Sequence, residues 1–114
     1  MNTHKNLIRL KHMLEAAQKA SRFLKNQTRS DLDNNEMLVL SILKLIEIIG
    51  EAASAISSDV IDKYLEIPWK QIKSVRNRLI HGYFDINYDI LWGIATDDLP
   101  PLIKNLEHII SEFE

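Results

Sequence analysis

Apolar residues recur every three or four positions through most of the chain, which is the period of an amphipathic α-helix. The first such stretch runs from Leu7 to Leu24 and is followed by a polar break at 26–30. One face of the predicted first helix carries Leu7, Leu10, Leu14, Ala17, Ser21 and Leu24. Either Asp31 or Asp33 can cap the helix that comes next, because a short side-chain oxygen accepts from unpaired N–H groups of a first turn.

The second stretch is apolar around most of its circumference. Its main seam consists of Leu38, Ile42, Leu45, Ile49, Ala52 and Ile56, and further leucines and isoleucines widen it. The polar positions shrink to a narrow strip formed by Lys44, Glu47 and Glu51. A helix of this kind is buried on more than one side. The pattern therefore predicts a central helix, a dimer interface, or both.

The rest of the chain predicts shorter elements. Residues 57–66 are expected to connect two helices, and Pro68 is expected to open the third. Gly82 can adopt the left-handed conformation that ends this helix, which would place His81 in the last turn. Either Asn87 or Asp89 can then start the next helix.

A final helical segment is expected after a break. Asp97 and Asp98 precede Pro100 and Pro101, a combination that predicts a kink and a new cap. Because the connections are short, we expect an all-α, antiparallel bundle of four to five helices in a single domain spanning 1–114.

The composition excludes several classes of protein and of functional site. The chain has no cysteine, which excludes disulfides, thiol nucleophiles and zinc–thiolate sites. Its most apolar stretch, 37–49, contains Lys44 and Glu47 and is too short to span a bilayer. The start of the chain shows no apolar signal-peptide region. A cytoplasmic location and no contact with membranes are expected.

The net charge of −2 conceals strong segregation along the chain. Counted from the sequence, residues 1–30 carry +6, 31–66 carry −6, 67–84 carry +4 and 85–114 carry −6. A mildly acidic chain is not a general nucleic-acid binder. A local basic patch would form if the first and third segments shared a face, and otherwise the charges simply solvate helices and pair with one another.

The candidate chemistry lies in residues 76–83. Arg76 offers a planar fork of donors that suits a phosphate, and His81 can move a proton near neutral pH. Metal-free RNA cleavage needs a base, an acid and a cation for the phosphorane charge, and these two residue types supply all three roles. The polar Asn77 and the ring of Tyr83 flank them, although a tyrosine at such a place is more often only a packing residue.

Spacing alone leaves the geometry of this site open. Arg76 and His81 are five residues apart, which is roughly 140° around an ideal helix. They converge only if the last turn unwinds, if the arginine reaches around, or if a second subunit completes the site. A helix C-terminus favours a protonated His81 while Arg76 and Arg78 disfavour it, so its charge state stays undetermined.

Other polar residues offer less. The remaining histidines have no partner at ligand spacing, and no metal site is expected. Glu47 and Glu51 share a helix face and could bind a cation, order Arg76, or serve as ordinary salt-bridge partners.

Nearly the whole chain resembles the HepT-like branch of the HEPN superfamily. The similar segments, in the order of the family, are residues 48–52, 67–72, 76–83, 90–92 and 98–100. The resemblance implies a homodimeric, all-helical endoribonuclease that needs no metal or cofactor and acts as the toxin of a toxin–antitoxin pair. It implies that Arg76 and His81 are the catalytic pair, with Asn77 as the supporting polar residue.

The resemblance also implies a partner. The antitoxin would be MntA-like, a minimal nucleotidyltransferase that can transfer AMP to Tyr83 and silence the toxin. Two other functions remain open at this point. The chain could be a non-catalytic dimer that docks the nucleotidyltransferase or presents a substrate to it, or a purely structural helical dimer.

Overall fold

The computed structural model describes residues 3–80 and 85–114, and this part of the chain is helical almost throughout. Within residues 3–80 and 85–114, three helices longer than ten residues are accompanied by five short helices and a π-helical turn. The elements are α1 Thr3–Phe23, α2 Asp31–Asn34, α3 Glu36–Ser54, α4 Ser58–Lys63, α5 Trp69–Lys73, α6 Val75–Leu79, α7 Tyr88–Gly93, the π-helical turn Ile94–Asp98 and α8 Leu99–Phe113. The predicted all-α class is confirmed.

The core lies where α1 packs against both α3 and α8. Its fully buried side chains include Leu10 and Met13 of α1, Ile42 of α3, and Leu106 and Ile109 of α8. Removing these apolar surfaces from water is the main favourable term in folding. The short helices α5 and α6 pack on α3, so the central position predicted for that helix is confirmed within the described chain.

The buried face of α1 differs from the one predicted from leucine spacing. Ser21 is exposed and Leu7 and Leu14 are only half-buried. The buried stripe runs instead through Asn6, Leu10, Met13, Ala16, Ala17 and Ala20. Leu10 and Ala17 belong to both the predicted and the buried face, so the prediction is confirmed in part. Leucine spacing missed the rest because half of the buried stripe consists of alanines, which are common on any helix face.

Asn35 caps α3, rather than Asp31 or Asp33. The Asn35 side chain accepts a hydrogen bond from the Leu38 N–H at 3.1 Å. Asp31 instead begins α2, and its carboxylate accepts from the Thr28 N–H at 2.6 Å. The predicted connection 57–66 also differs, since it contains the short helix α4.

Near Asp97 and Asp98 the sequence predicts a break or a kink, and the break is wrong because the chain stays helical from Tyr88 to Phe113. The predicted final helical segment is present as α8. The Leu99 N–H donates to the Ile94 carbonyl five residues earlier, which is the π-helical pattern. Asp98 makes no side-chain cap hydrogen bond. The π-helical turn accommodates the two prolines, which lack N–H donors, without interrupting the helical path.

Candidate active site around Arg76

The residues ahead of the motif are fixed by a buried tryptophan. Trp69 begins α5, is 5% exposed, and donates from Nε1 to the Tyr64 carbonyl at 2.9 Å. A buried indole with a satisfied N–H is a rigid anchor. Trp69 is therefore part of the core, and it anchors the helical segment that leads to Arg76.

The predicted third helix is divided into α5 and α6 at Ser74. The Ser74 hydroxyl donates to the Lys70 carbonyl at 2.9 Å. Such bonds from serine to the preceding turn bend helices. The Ser74 N–H also donates to the Lys70 carbonyl, and the Asn77 N–H donates to the Ser74 carbonyl at 3.0 Å, which opens α6. Asn77 itself is exposed.

Helix α6 ends at Leu79, not at Gly82. Ile80 is extended and forms an isolated antiparallel bridge with Ile86. The Leu79 carbonyl accepts from the Asn87 N–H at 2.8 Å, so it is paired outside the helix. The predicted end of this helix at Gly82 is therefore wrong, and the prediction that His81 occupies its last turn falls on a residue outside the described ones. The bridge pairs the residues on the two sides of 81–84.

Asn87 caps the next helix, which confirms one of the two predicted alternatives. Its side chain accepts from the Ile90 N–H at 3.0 Å. The helix it caps, α7, follows the motif directly and buries Leu91 completely.

Arg76 carries the candidate chemistry at the surface. Its side chain is 64% exposed, and its Nη1 lies 3.4 Å from Oε1 of Glu47, which is 21% exposed. Among the roles left open for Glu47 and Glu51, the structure shows an ion pair between Glu47 and Arg76. The two residues line a cavity of about 150 Å³ together with Gly50, Glu51, Ser54, Lys73 and Val75.

Gly50 explains how α3 and α5 come so close together beside this cavity. A Cβ atom built on Gly50 would lie 3.2 Å from the backbone oxygen of Ile72. A side chain at this position would therefore press on the backbone of α5. In the sequence, the signal for this contact is an isolated glycine inside a helical pattern. The prediction from the apolar period alone does not include it.

The basic residues of this segment do not all face the same way. Lys73 and Arg76 line the cavity beside Glu47. Arg78 instead lines a larger groove of about 500 Å³ whose walls include Ile46, Ile72 and Leu102. Residues two apart on a helix point in nearly opposite directions. The cations that line this cavity are therefore Arg76 and Lys73, and the carboxylates of Glu47 and Glu51 line it with them.

A second ion-pair cluster, centred on Arg29, lies at the start of α7, the helix that follows the motif. Arg29 donates from Nε to Asp89 at 2.7 Å and from Nη1 to Asp33 at 3.2 Å. Its guanidinium also lies 5.8 Å from the centre of the Tyr88 ring. The hydrogen bond that Arg29 donates to Asp89, followed by the one that it donates to Asp33, raises the pKa of Arg29 above its ordinary value. Arg29 links the α1–α3 connection to the first turn of α7, a contact across 60 residues that no local pattern predicts.

Two of the predicted site residues, His81 and Tyr83, lie outside the described residues. Arg76 and Asn77 are described, and both are exposed on α6. Within 3–80 and 85–114, no group of three or more histidine, aspartate or glutamate side chains is placed to hold a metal ion. None of the described helices is both long and apolar enough to cross a membrane.

Comparison of the sequence with known proteins assigns the chain to a family. The model of the family described as "Ribonuclease HepT-like" matches residues 13–109, which include the whole of 76–83. A Methanocaldococcus jannaschii protein named "Putative RNase" is 38% identical over 95 residues, covering 83% of this chain and 87% of that protein.

Two further relatives come from other organisms. A Caldanaerobacter subterraneus protein, also named "Putative RNase", is 30% identical over 103 residues, or 90% of this chain and 92% of its own length. A Thermococcus cleftensis protein named "Probable ribonuclease HepT" is 29% identical over 100 residues, or 88% and 91%. No solved structure shows a significant match. The extent of the family match and of these alignments means that the chain belongs to the HepT-like ribonuclease family.

Proposed function

We propose that this protein is a metal-independent endoribonuclease and the toxin of a toxin–antitoxin pair. The observation that carries the proposal is the position of Arg76, at the head of the Arg-x4-His-x-Tyr motif of a HepT-like ribonuclease family member. Its side chain is mostly exposed and lines a cavity that Lys73 also lines. A cation presented in this way is suited to a phosphate of bound RNA.

In the proposed reaction, a neutral His81 removes the proton from a ribose 2′-hydroxyl. The resulting 2′-oxygen attacks the adjacent phosphorus, and Arg76 stabilises the charge that builds up on the phosphorane oxygens. A protonated His81 gives its proton to the departing 5′-oxygen. The bond between phosphorus and the 5′-oxygen breaks, leaving a 2′,3′-cyclic phosphate on one product and a 5′-hydroxyl on the other. The supporting polar residue is Asn77.

The scheme needs two histidines in different protonation states, and a homodimer would supply one from each copy. The exposed side of α3 is compatible with such an assembly. Met37 and Leu40 of this helix are 81% and 51% exposed. Exposed apolar surface of this kind often marks a protein interface.

The proposed regulator is an MntA-like nucleotidyltransferase that transfers AMP from ATP to Tyr83. The modification would add an anionic phosphate seven residues from Arg76 in the chain. A phosphate near that guanidinium would compete with RNA for it by charge and by volume. The nucleotidyltransferase thus acts as the antitoxin.

The test is cleavage of RNA by purified protein under single-turnover conditions. Replacing His81 with alanine is expected to lower the rate by ~10²–10⁴-fold, the usual contribution of general acid–base catalysis. His12→Ala, an exposed histidine on α1, serves as the matched control and should cleave like wild type. A chelator should leave the rate unchanged.

Equal cleavage by His81→Ala and wild type would reject the proposal. A wild-type protein that cuts no RNA but binds the nucleotidyltransferase would favour the non-catalytic docking dimer instead.

A further inference from the structure

We infer that Glu47 is a positioning residue for Arg76, holding the guanidinium in the orientation in which it meets the RNA phosphate. This inference rests on the proposed ribonuclease function. It gives a role to Glu47 of α3, a residue that takes no part in the proposed reaction.

The two members of the ion pair are unequally fixed. Glu47 lies in the middle of the 19-residue helix α3, between the buried residues Ile46 and Ile49, and only 21% of its side chain is exposed. Arg76 has a long side chain that is 64% exposed. A free arginine side chain samples many rotamers, and ordering it costs conformational entropy. The more buried carboxylate therefore acts as the fixed point to which the mobile guanidinium is held.

The geometry of the pair leaves the guanidinium able to bind a second anion. Oε1 of Glu47 lies 3.4 Å from Nη1 of Arg76, which is longer than a tight charge-assisted hydrogen bond. Guanidinium carries five N–H donors. Among the described residues, Glu47 is the one ion-pair partner of this guanidinium, and the 64% exposure of the side chain leaves it accessible to a phosphate. This arrangement favours orientation of Arg76 over masking of its charge.

Gly50 sets the distance over which the pair forms. It lies one turn after Glu47 on α3, and its missing side chain lets the Ile72 carbonyl approach. Arg76 follows Ile72 by about one turn. The close contact between α3 and α5 thus brings Arg76 within reach of a carboxylate that belongs to a different helix.

The first measurement is the cleavage rate of Glu47→Ala against substrate concentration. We expect kcat to fall by roughly tenfold, up to the ~10²-fold that a misplacement of about 1 Å can cost, with KM little changed. Glu47→Gln should give an intermediate rate, because it keeps an acceptor and loses the charge. Glu15→Ala, an exposed glutamate on α1, is the matched control and should behave like wild type.

A double-mutant cycle separates a positioning role from a general one. If Glu47 acts through Arg76, then adding Glu47→Ala to Arg76→Ala should cause no further loss of rate. Full additivity of the two losses would overturn the inference. A faster Glu47→Ala enzyme would overturn it too, because that result would mean that the carboxylate masks the cation.

A second readout does not depend on cleavage. The side-chain ¹⁵N–¹H signals of Arg76 should be distinct from those of a free arginine in wild type and should move toward them in Glu47→Ala. Wild-type signals already at the free values would overturn the inference even in an active ribonuclease. Conversely, ordered Arg76 signals in a protein that cuts no RNA would locate the failure in the proposed function.

Discussion

At the scale of single residues, Asn6 shows how one polar side chain joins distant parts of the fold. It is 4% exposed, and its Oδ1 accepts from the Ser57 N–H at 3.1 Å. Its Nδ2 donates to the Ser57 hydroxyl at 2.8 Å. The two bonds tie the start of α1 to the residue that precedes α4. Buried polar groups are tolerated only when they are paired in this way.

Replacing Asn6 with alanine should lower the free energy of unfolding by about 1–3 kcal/mol, because the partner groups on Ser57 lose their bonds. Urea unfolding followed by circular dichroism measures the change. The control is Asn34→Ala on the exposed end of α2, which should change stability by no more than about 0.5 kcal/mol. Equal effects of the two variants would show that the buried pair does not contribute as described.

Single residues of the site were only partly predictable from the sequence. Arg76 was identified by its chemistry and spacing, and Glu47 was recognised as one of two carboxylates that could order it. The choice between Glu47 and Glu51 depends on how α5 and α6 sit on α3, which no local pattern contains. The role of Arg29 was missed for the same reason, since its partner Asp89 is 60 residues away.

At the scale of elements, the long helices followed from the apolar period, whereas the ends of the short ones did not. The seam of α3 follows from spacings of three and four, and its residues Ile42, Leu45 and Ile49 are buried. Helix α6 instead ends where Leu79 and Ile80 find partners in Asn87 and Ile86. Such pairings are tertiary, and they override the helix-stop signal that Gly82 provides in the sequence.

Two glycines in helices offer a direct test of the close packing of α5 on α3. Gly93→Ala should raise the free energy of unfolding by about 0.4–1 kcal/mol, because nothing lies within 4 Å of the added Cβ and the unfolded chain loses freedom. Gly50→Ala should not show this gain, because its Cβ would press on the Ile72 backbone. Crowding of this kind typically costs about 1–3 kcal/mol, so a net loss is expected.

Chemical unfolding of the two variants side by side gives the comparison. Gly50→Ala should also cleave RNA more slowly than Gly93→Ala, since it shifts α5 and α6 relative to Glu47. A gain in stability at both positions would contradict the close approach of the two helices.

At the scale of the whole molecule, the net charge is slightly negative although the positive and negative residues are concentrated in different segments of the helical chain. The basic segments 1–30 and 67–84 belong largely to α1 and to α5 with α6, and these elements pack on α3. A net charge of −2 gives little general attraction for RNA. Binding in the proposed function must therefore depend on the local field around Arg76 and Lys73, and added salt should weaken it.

Fold class and family were the most predictable features of the chain. The abundance of helix formers and the apolar period indicated an all-α protein, and the ordered set of similar segments indicated the HepT-like family. Both were confirmed. The homodimer and the nucleotidyltransferase partner remain predictions, because they depend on surfaces of other chains and not on the folding of this one.

The most direct test of the central claim is the single-turnover rate at which Arg76→Ala cleaves RNA in the presence of a chelator. We expect a loss of ~10²–10³-fold relative to wild type, the usual cost of removing one group that stabilises transition-state charge. Arg22→Ala, an exposed arginine at the end of α1, should cleave at the wild-type rate. Cleavage by Arg76→Ala as fast as by wild type would contradict the account.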